Sequence, residues 1–184
     1  MAPQYSTLSV AKYGDAVEAA RPPEHATCAS SDSWHDHPDL LDAFAEKLRA
    51  ARAGRGVGPR ALHRPQPAHA RVVAQGDPYP DEVAATARGV AERAGVPEYA
   101  RAYQSAGRTP ESWLGPPLEE ALATAAAEGA QRVLAVPVGF VCDHTGDPVR
   151  HRRPGRSSAA RRLGIEVGRT ESLNTSPTLH PRPG

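Results

Sequence analysis

The stretch that most constrains the fold runs from Arg132 to Thr145 and reads RVLAVPVGFVCDHT. Its residues from Val133 to Val136 form a short continuous apolar run, which is typical of a strand buried on both faces of a parallel sheet. Pro137 has no backbone N–H, so we expect the strand to end there. The polar or reactive residues Cys142 to His144 follow shortly afterwards. Because ligand sites in open α/β sheets lie beyond the carboxyl ends of the strands, this stretch predicts a site at that edge.

Patterning on both sides of this strand predicts the other elements. Apolar residues at spacings of three or four, or an Ala-rich composition, predict helices over Ser9 to Arg21, Pro38 to Arg52, Asp81 to Ala94 and Leu118 to Glu128. Tyr99 to Gln104 alternates and predicts a second strand, and Gly95 stands where a left-handed helix cap belongs. The order of helices and strands predicts an α/β fold with parallel strands, right-handed crossovers and helices on both faces of the sheet. Gly54 to Ala70 shows neither pattern, although a strand is due there.

Composition excludes several classes of protein. The 184 residues can bury the core of one ordinary domain, and the net charge of +1 gives no electrostatic basis for binding nucleic acid or an anionic membrane. No apolar run approaches the roughly 20 residues of a membrane-spanning helix, and no charged and then apolar leader opens the chain. We therefore expect a cytoplasmic protein without a membrane span or a nucleic-acid partner. The sequence leaves the oligomeric state open.

The cysteines and the closely spaced histidines do not predict a metal site. Cys28 and Cys142 are the two cysteines, and they are too far apart in sequence to indicate a disulfide framework or a metal-ligand spacing. We expect Cys142 to be a small buried apolar residue. His35 and His37 could share a metal only from an extended segment, and no third ligand is evident.

Five motifs resemble one known family. PVGFVCDH, at residues 137–144, resembles the PVGF-x-x-DH block of ferrochelatases, the enzymes that insert ferrous iron into a porphyrin at the end of haem synthesis. The segments PQYSTLSVAKY, GDPYPDEVAATARGVAERAGV, YARAYQSAGRTPESWLGP and GRTESLNTSPT resemble the same family. The resemblance implies a Rossmann-like chelatase lobe with most of the family's N-terminal lobe missing. Residues 1–53 would be the end of the first lobe with linking helices, and residues 71–178 the core of the second lobe.

The resemblance also implies the site residues. A tyrosine at the place of Tyr13 lines the porphyrin pocket in the family, whereas the residues alone favour a core tyrosine with its hydroxyl at the surface. Metal insertion in the family needs an imidazole and a carboxylate facing each other across the porphyrin. Their places fall near Gln66, which has no basic nitrogen, and at Gly146, which has no side chain. His144 remains, either satisfied by a backbone hydrogen bond or orienting an adjacent acid that is absent here.

Fe²⁺ and a porphyrin, either coproporphyrin III or protoporphyrin IX, are the substrates that the resemblance implies. An iron–sulfur cluster takes four ligands, so two cysteines predict none. His63 and His69 lie near the vacant histidine position but not in the family's AHSLP context. The alternatives are a catalytically inactive or non-folding fragment that at most binds tetrapyrrole, and a cobalt or nickel chelatase of a related tetrapyrrole. SWLGP and TESLNTSP favour ferrochelatase over the other chelatases.

Four segments do not resemble the family, namely residues 24–33, 60–70, 146–156 and 179–184, and they are rich in Pro, Arg, His and Gly without periodicity. Out-of-frame reading of GC-rich DNA gives that composition. Arg64 to His69 can be encoded so that a one-base shift reads AHSLP, and Thr145 to Gly155 so that deleting one base reads TEILFDID. Our hypothesis is that the gene or its read carries compensating insertions and deletions.

Sequencing the parent DNA tests this hypothesis. We expect a one-base shift to restore AHSLP near Gln66 and a Glu at Gly146. Codons that stay in frame through all four segments would refute it.

Overall fold

A computed structural model describes residues 2–21, 31–54, 61–63, 70–103, 112–143 and 158–179. In chain order its elements are α1 (Val10–Ala20), α2 (Pro38–Ala53), β1 (Ala61–His63), α3 (Ala70–Ala74), α4 (Tyr79–Ala94), β2 (Tyr99–Arg101), α5 (Leu118–Ala127), β3 (Arg132–Val136), α6 (Ser158–Leu163) and β4 (Glu166–Arg169).

The four strands form one sheet in the order β2-β1-β3-β4, and each pair is parallel. β3 lies inside the sheet, where Leu134 pairs with Ala61 of β1 on one side and with Gly168 of β4 on the other. A strand with neighbours on both sides and helices on both faces needs apolar residues at successive positions, which explains the run from Val133 to Val136. The expected α/β fold is confirmed.

Two helix layers cover the two faces of β3. Successive side chains of a strand point to opposite faces, so neighbouring residues of β3 pack against different layers. Leu134 and Val136 pack in one core cluster with α2 and α4. Val133 packs in a second cluster with α5, α6 and Val167 of β4. The apolar stripes predicted for the second and third helices are buried in this arrangement, with Phe44 and Leu48 of α2 and Val83 of α4 fully inaccessible.

The four predicted helices are confirmed, with ends that shift by one or two residues. Gly95 ends α4 with φ 64° and ψ 42°, the left-handed cap that the sequence predicts. The second strand is shorter than predicted, since β2 ends at Arg101. The division of the chain at residues 53 and 71 stays a prediction, although α2 and α4 share one core cluster.

The strand that is due between Gly54 and Ala70 does form, although the sequence shows no strand pattern there. β1 forms at Ala61–His63 within this segment, and α3 begins at Ala70. A strand of three residues leaves no periodicity to read in the sequence, and here parallel neighbours on both sides supply its backbone hydrogen bonds. The elements α6 and β4 had no sequence prediction.

The cap at Gly95 provides a test of the fold. We expect Gly95→Ala to lower the free energy of unfolding by about 1 kcal/mol, because a Cβ is disfavoured at a φ of 64°. Gly54→Ala is the matched control: Gly54 also caps a helix but at φ −75°, where Ala is unstrained. Urea unfolding measures both. Equal effects of the two substitutions would contradict the proposed role of the left-handed cap.

Candidate functional site

The carboxyl ends of the four parallel strands lie at one edge of the sheet, and the chain turns sharply there after β3. Val138 N donates to Val136 O at 3.0 Å, and Phe140 N donates to Pro137 O at 3.1 Å. These two hydrogen bonds close tight turns, so the polar residues Cys142 and Asp143 lie at the edge within a few residues of the end of the strand.

The segment before α1 is anchored to the same edge by a buried glutamine. Gln4 is fully inaccessible, and its Nε2 donates to Val138 O at 3.2 Å and to Thr86 Oγ1 at 3.0 Å. These two donated bonds hold the segment against both α4 and the exit of β3, whereas the buried Oε1 of Gln4 accepts from none of the described residues. α1 therefore starts beside the edge where the sequence predicts a site.

Asp77 holds the next residues of this segment. Its Oδ2 accepts from Thr7 N at 2.8 Å and from Thr7 Oγ1 at 2.7 Å, and its Oδ1 accepts from Tyr79 N at 2.9 Å. Hydrogen bonds to a carboxylate are stronger than neutral ones. The buried Asp77 thus joins the start of α1 to the start of α4.

Glu82 makes a third connection, and it involves one of the two closely spaced histidines. Its Oε2 accepts from Tyr5 N at 2.6 Å and from Ser33 Oγ at 2.8 Å, and lies 3.6 Å from His35 Nδ1. His37 instead caps α2, where its Nδ1 accepts from Asp39 N at 3.3 Å. Both imidazoles are engaged in structural contacts. In the ranges that the structure covers, no three His, Cys, Asp or Glu side chains are grouped so that they could hold a metal ion.

α1 exposes its apolar side chains. Tyr13 is 62% exposed and Val17 53%, and Leu8 just before the helix is 38% exposed, whereas Val10 is buried. The expectation from the residues alone, a core tyrosine with its hydroxyl at the surface, is therefore wrong. The exposed apolar face of α1, defined as Leu8, Tyr13 and Val17, is what a ligand-lining helix would present.

The turn after β3 is held through Asp143. Its Oδ1 accepts from Ser172 Oγ at 2.8 Å and lies 3.7 Å from Arg169 Nη1. Arg169 Nη2 in turn donates to Ser172 Oγ at 3.1 Å. The carboxylate is thus held by Arg169, the last residue of β4, and by Ser172 just beyond it.

Cys142 corrects one expectation: it is exposed and is a free thiol, not a small buried residue. The turn places it at the surface, since the buried run of the strand ended several residues earlier. His144, Gln66, Gly146 and Cys28 lie outside the described residues, and their predicted roles stay predictions.

Tyr103, beyond the end of β2, is a buried tyrosine near the same edge. Burial raises the pKa of Tyr103; nearby Arg101 lowers it and Asp81 raises it. The phenol therefore stays protonated at neutral pH. Its backbone joins β2 to the start of α5, because Tyr103 N donates to Pro116 O at 2.9 Å and Tyr103 O accepts from Leu118 N at 3.1 Å. Its place is structural, within a cluster with Tyr79 and Val83.

A cavity of about 470 Å³ lies beside the edge strand β2. It is lined by α5 and β2 residues such as Tyr99, Ala121 and Ala125, and it contains none of the predicted site residues. The candidate site is therefore the carboxyl edge with the exposed face of α1, and not this cavity.

Comparison with known proteins identifies the family. The family model for ferrochelatase matches residues 1–180. The chain belongs to the ferrochelatase family. It is 37% identical to a ferrochelatase of Deinococcus radiodurans over 96% of this chain and 58% of the relative. It is 38% identical to a ferrochelatase of Thermus thermophilus (94% and 56%) and to a coproporphyrin III ferrochelatase of a Geobacillus species (78% and 48%). The chain thus spans 48–58% of the length of these relatives.

Membership of the ferrochelatase family confirms the resemblance read from the motifs. The sequence reasoning nevertheless missed the polar residues that assemble the edge: Gln4, Asp77, Arg169, Ser172 and Asn174. Each of them lies in a segment that had been matched to the family, but no local pattern signals a partner that is tens of residues away. Among the helices that the structure describes, none is both long and apolar enough to cross a membrane.

Asp77 provides a test of how α1 is held. We expect Asp77→Asn to lower the free energy of unfolding by about 1.5–3 kcal/mol, because a buried carboxylate that accepts from Thr7 is replaced by an amide. Hydrogen exchange of residues 4–20 should become faster than in the parent. Asp15→Asn, on the exposed side of α1, is the control and should change neither quantity. Unchanged exchange in Asp77→Asn would contradict the anchoring role.

Proposed function

We propose that the protein acts in haem biosynthesis as a ferrochelatase, with Fe²⁺ and a porphyrin as substrates. Membership of the family supports the reaction class. The observation that carries the proposal for this chain is the exposed apolar face of α1 beside the carboxyl edge of the sheet. The proposal keeps the cytoplasmic location expected from the composition and requires no iron–sulfur cluster, since the sequence has two cysteines.

The exposed apolar face of α1 suits a tetrapyrrole. A porphyrin is a flat apolar macrocycle, and an aromatic ring gains by packing against such a face. Tyr13, the most exposed of the three side chains, would supply this contact, with Leu8 and Val17 beside it. The segment that carries them is held by Gln4 and Asp77, so the face is presented from a fixed position.

The porphyrin proposed is coproporphyrin III, with protoporphyrin IX as the alternative. Several relatives, from Geobacillus and Bacillus species, are named coproporphyrin III ferrochelatases. The two porphyrins differ in their peripheral carboxylates, so a direct comparison of their affinities distinguishes them.

This chain lacks the two basic groups that metal insertion requires at their family positions. Abstraction of pyrrole protons near neutral pH requires a group such as imidazole or carboxylate. The family positions for these groups fall near Gln66 and at Gly146, and neither residue is a base. His144 would orient an adjacent acid, but no acid stands at Gly146. These residues favour a second candidate function, tetrapyrrole binding without iron insertion.

Porphyrin titration tests both candidates. Coproporphyrin III should quench the emission of Trp34 and Trp113 in the parent chain. Tyr13→Ala should weaken binding about tenfold, because one aromatic packing contact is lost, while Tyr13→Phe keeps the ring and should bind like the parent. Lys12→Ala, at a neighbouring exposed position of α1, is the control.

An iron-insertion assay on the same samples then separates the candidates. Quenching together with formation of the iron porphyrin supports the ferrochelatase, and quenching without it supports the tetrapyrrole binder. Absence of quenching by either porphyrin refutes both.

A further inference from the structure

Asn174 makes three hydrogen bonds to the turn that follows β3. Its backbone N donates to Val141 O at 2.8 Å. Its side-chain Oδ1 accepts from Asp143 N at 3.0 Å, and its Nδ2 donates to Asp143 Oδ2 at 3.2 Å. One residue thus contacts both the backbone and the side chain of the turn.

The conformation of Asn174 indicates that this geometry is strongly determined. Its φ is 47°, and among the described residues it is the one residue other than glycine with a positive φ. Left-handed backbone is disfavoured for residues with a Cβ, and asparagine tolerates it better than most. Glycine would adopt the conformation more easily but has no amide. A strained residue that forms several directed bonds is a pointer to a functional constraint.

Neighbouring residues fix the position of Asn174 itself. Leu173 is 2% exposed and packs in the core cluster of α2 and β3. Ser172 is buried and donates to the other carboxylate oxygen of Asp143. The turn is therefore held from a segment that is itself anchored in the core, so its position follows that of the sheet.

We propose that Asn174 is a positioning residue of the porphyrin site, which fixes the turn after β3 at the carboxyl edge of the sheet. The exit of β3 that leads into this turn also accepts from Gln4 Nε2 at Val138 O, so the turn lies at the edge to which the segment before α1 is attached. The proposal rests on the proposed function, and it assigns the carboxylate of Asp143 to holding the turn. Site geometry tolerates errors of only about half an ångström, so a loose turn would weaken binding.

The exposed thiol of Cys142 provides a reporter inside the turn. A nitroxide attached to Cys142 in a Cys28→Ser background should give the broad spectrum of an ordered site. Asn174→Gly keeps the left-handed backbone but removes both hydrogen bonds of the side-chain amide to Asp143. It should shift the label to the narrow-line spectrum of a mobile site. Asn174→Asp places a second carboxylate against Asp143 and should do the same.

Exchanging the two side chains provides the rescue. In the double variant Asp143→Asn with Asn174→Asp, the amide now stands at position 143 and the carboxylate at position 174. The carboxylate accepts one hydrogen bond from the side-chain amide of residue 143 and one from its backbone N. The label should return to the ordered spectrum. A general loss of packing would not be reversed by this exchange.

Thr178→Val is the matched control, because it removes a hydrogen bond of the same closing segment, from Thr178 Oγ1 to Glu46 Oε2, at a distance from the turn. It should leave the label unchanged. Coproporphyrin III should bind Asn174→Gly about tenfold more weakly than the labelled parent, with recovery in the exchanged pair.

The two readouts separate the two proposals. A label that is equally ordered in the parent, Asn174→Gly and Asn174→Asp overturns the role of Asn174, whatever the porphyrin does. A mobile label with unchanged porphyrin affinity also overturns it, because the turn then does not position the site. If the parent itself binds neither coproporphyrin III nor protoporphyrin IX, the proposed function fails, and with it the role of Asn174 in a porphyrin site.

Discussion

Burial of β3 between two helix layers is the constraint on which the rest of the structure depends. The strand pairs with β1 and β4, and its alternate side chains enter two separate core clusters. Each apolar residue removed from water contributes to stability in proportion to its area. The helices must therefore cover both faces, and the chain that leaves the strand at Pro137 is brought to one edge of the sheet.

Polar contacts then attach the segments before α1 and after β4 to the carboxyl edge of the sheet, where the candidate site lies. Gln4, Asp77 and Glu82 attach the segment before α1 to α4 and to the exit of β3. The closing segment attaches to the turn after β3 through Ser172 and Asn174. Gln4, Asp77 and Ser172 are buried and Glu82 is partly buried, and a donor or acceptor left without a partner is costly at such positions. Asn174 is exposed. The two ends of the described chain are thereby joined to the same edge of the sheet, and the apolar face of α1 is left exposed beside it.

The exposure of that face also shows how periodicity can mislead. A stripe at helical spacing is usually a core stripe, and α2 and α4 obey this rule with fully buried residues such as Phe44 and Val83. α1 has a similar stripe but leaves Tyr13 and Val17 in solvent. Sequence alone indicates that a face is apolar; which surface covers it depends on the elements that pack nearby. Cys142 is a similar case: its residue type suggested burial, but the turn after β3 places it at the surface.

The sequence by itself determined the α/β class, the central strand, four helices, the left-handed cap at Gly95 and the ferrochelatase family, because apolar spacing, Pro and Gly positions and motifs are local signals. Only the tertiary structure decided the short strand β1, the order of the strands, and the contacts of Asn174 and Asp77. A three-residue strand depends on neighbours that pair with it, and Asn174 meets a partner 31 residues away. Such contacts arise when the sheet assembles, so no window of the sequence contains them.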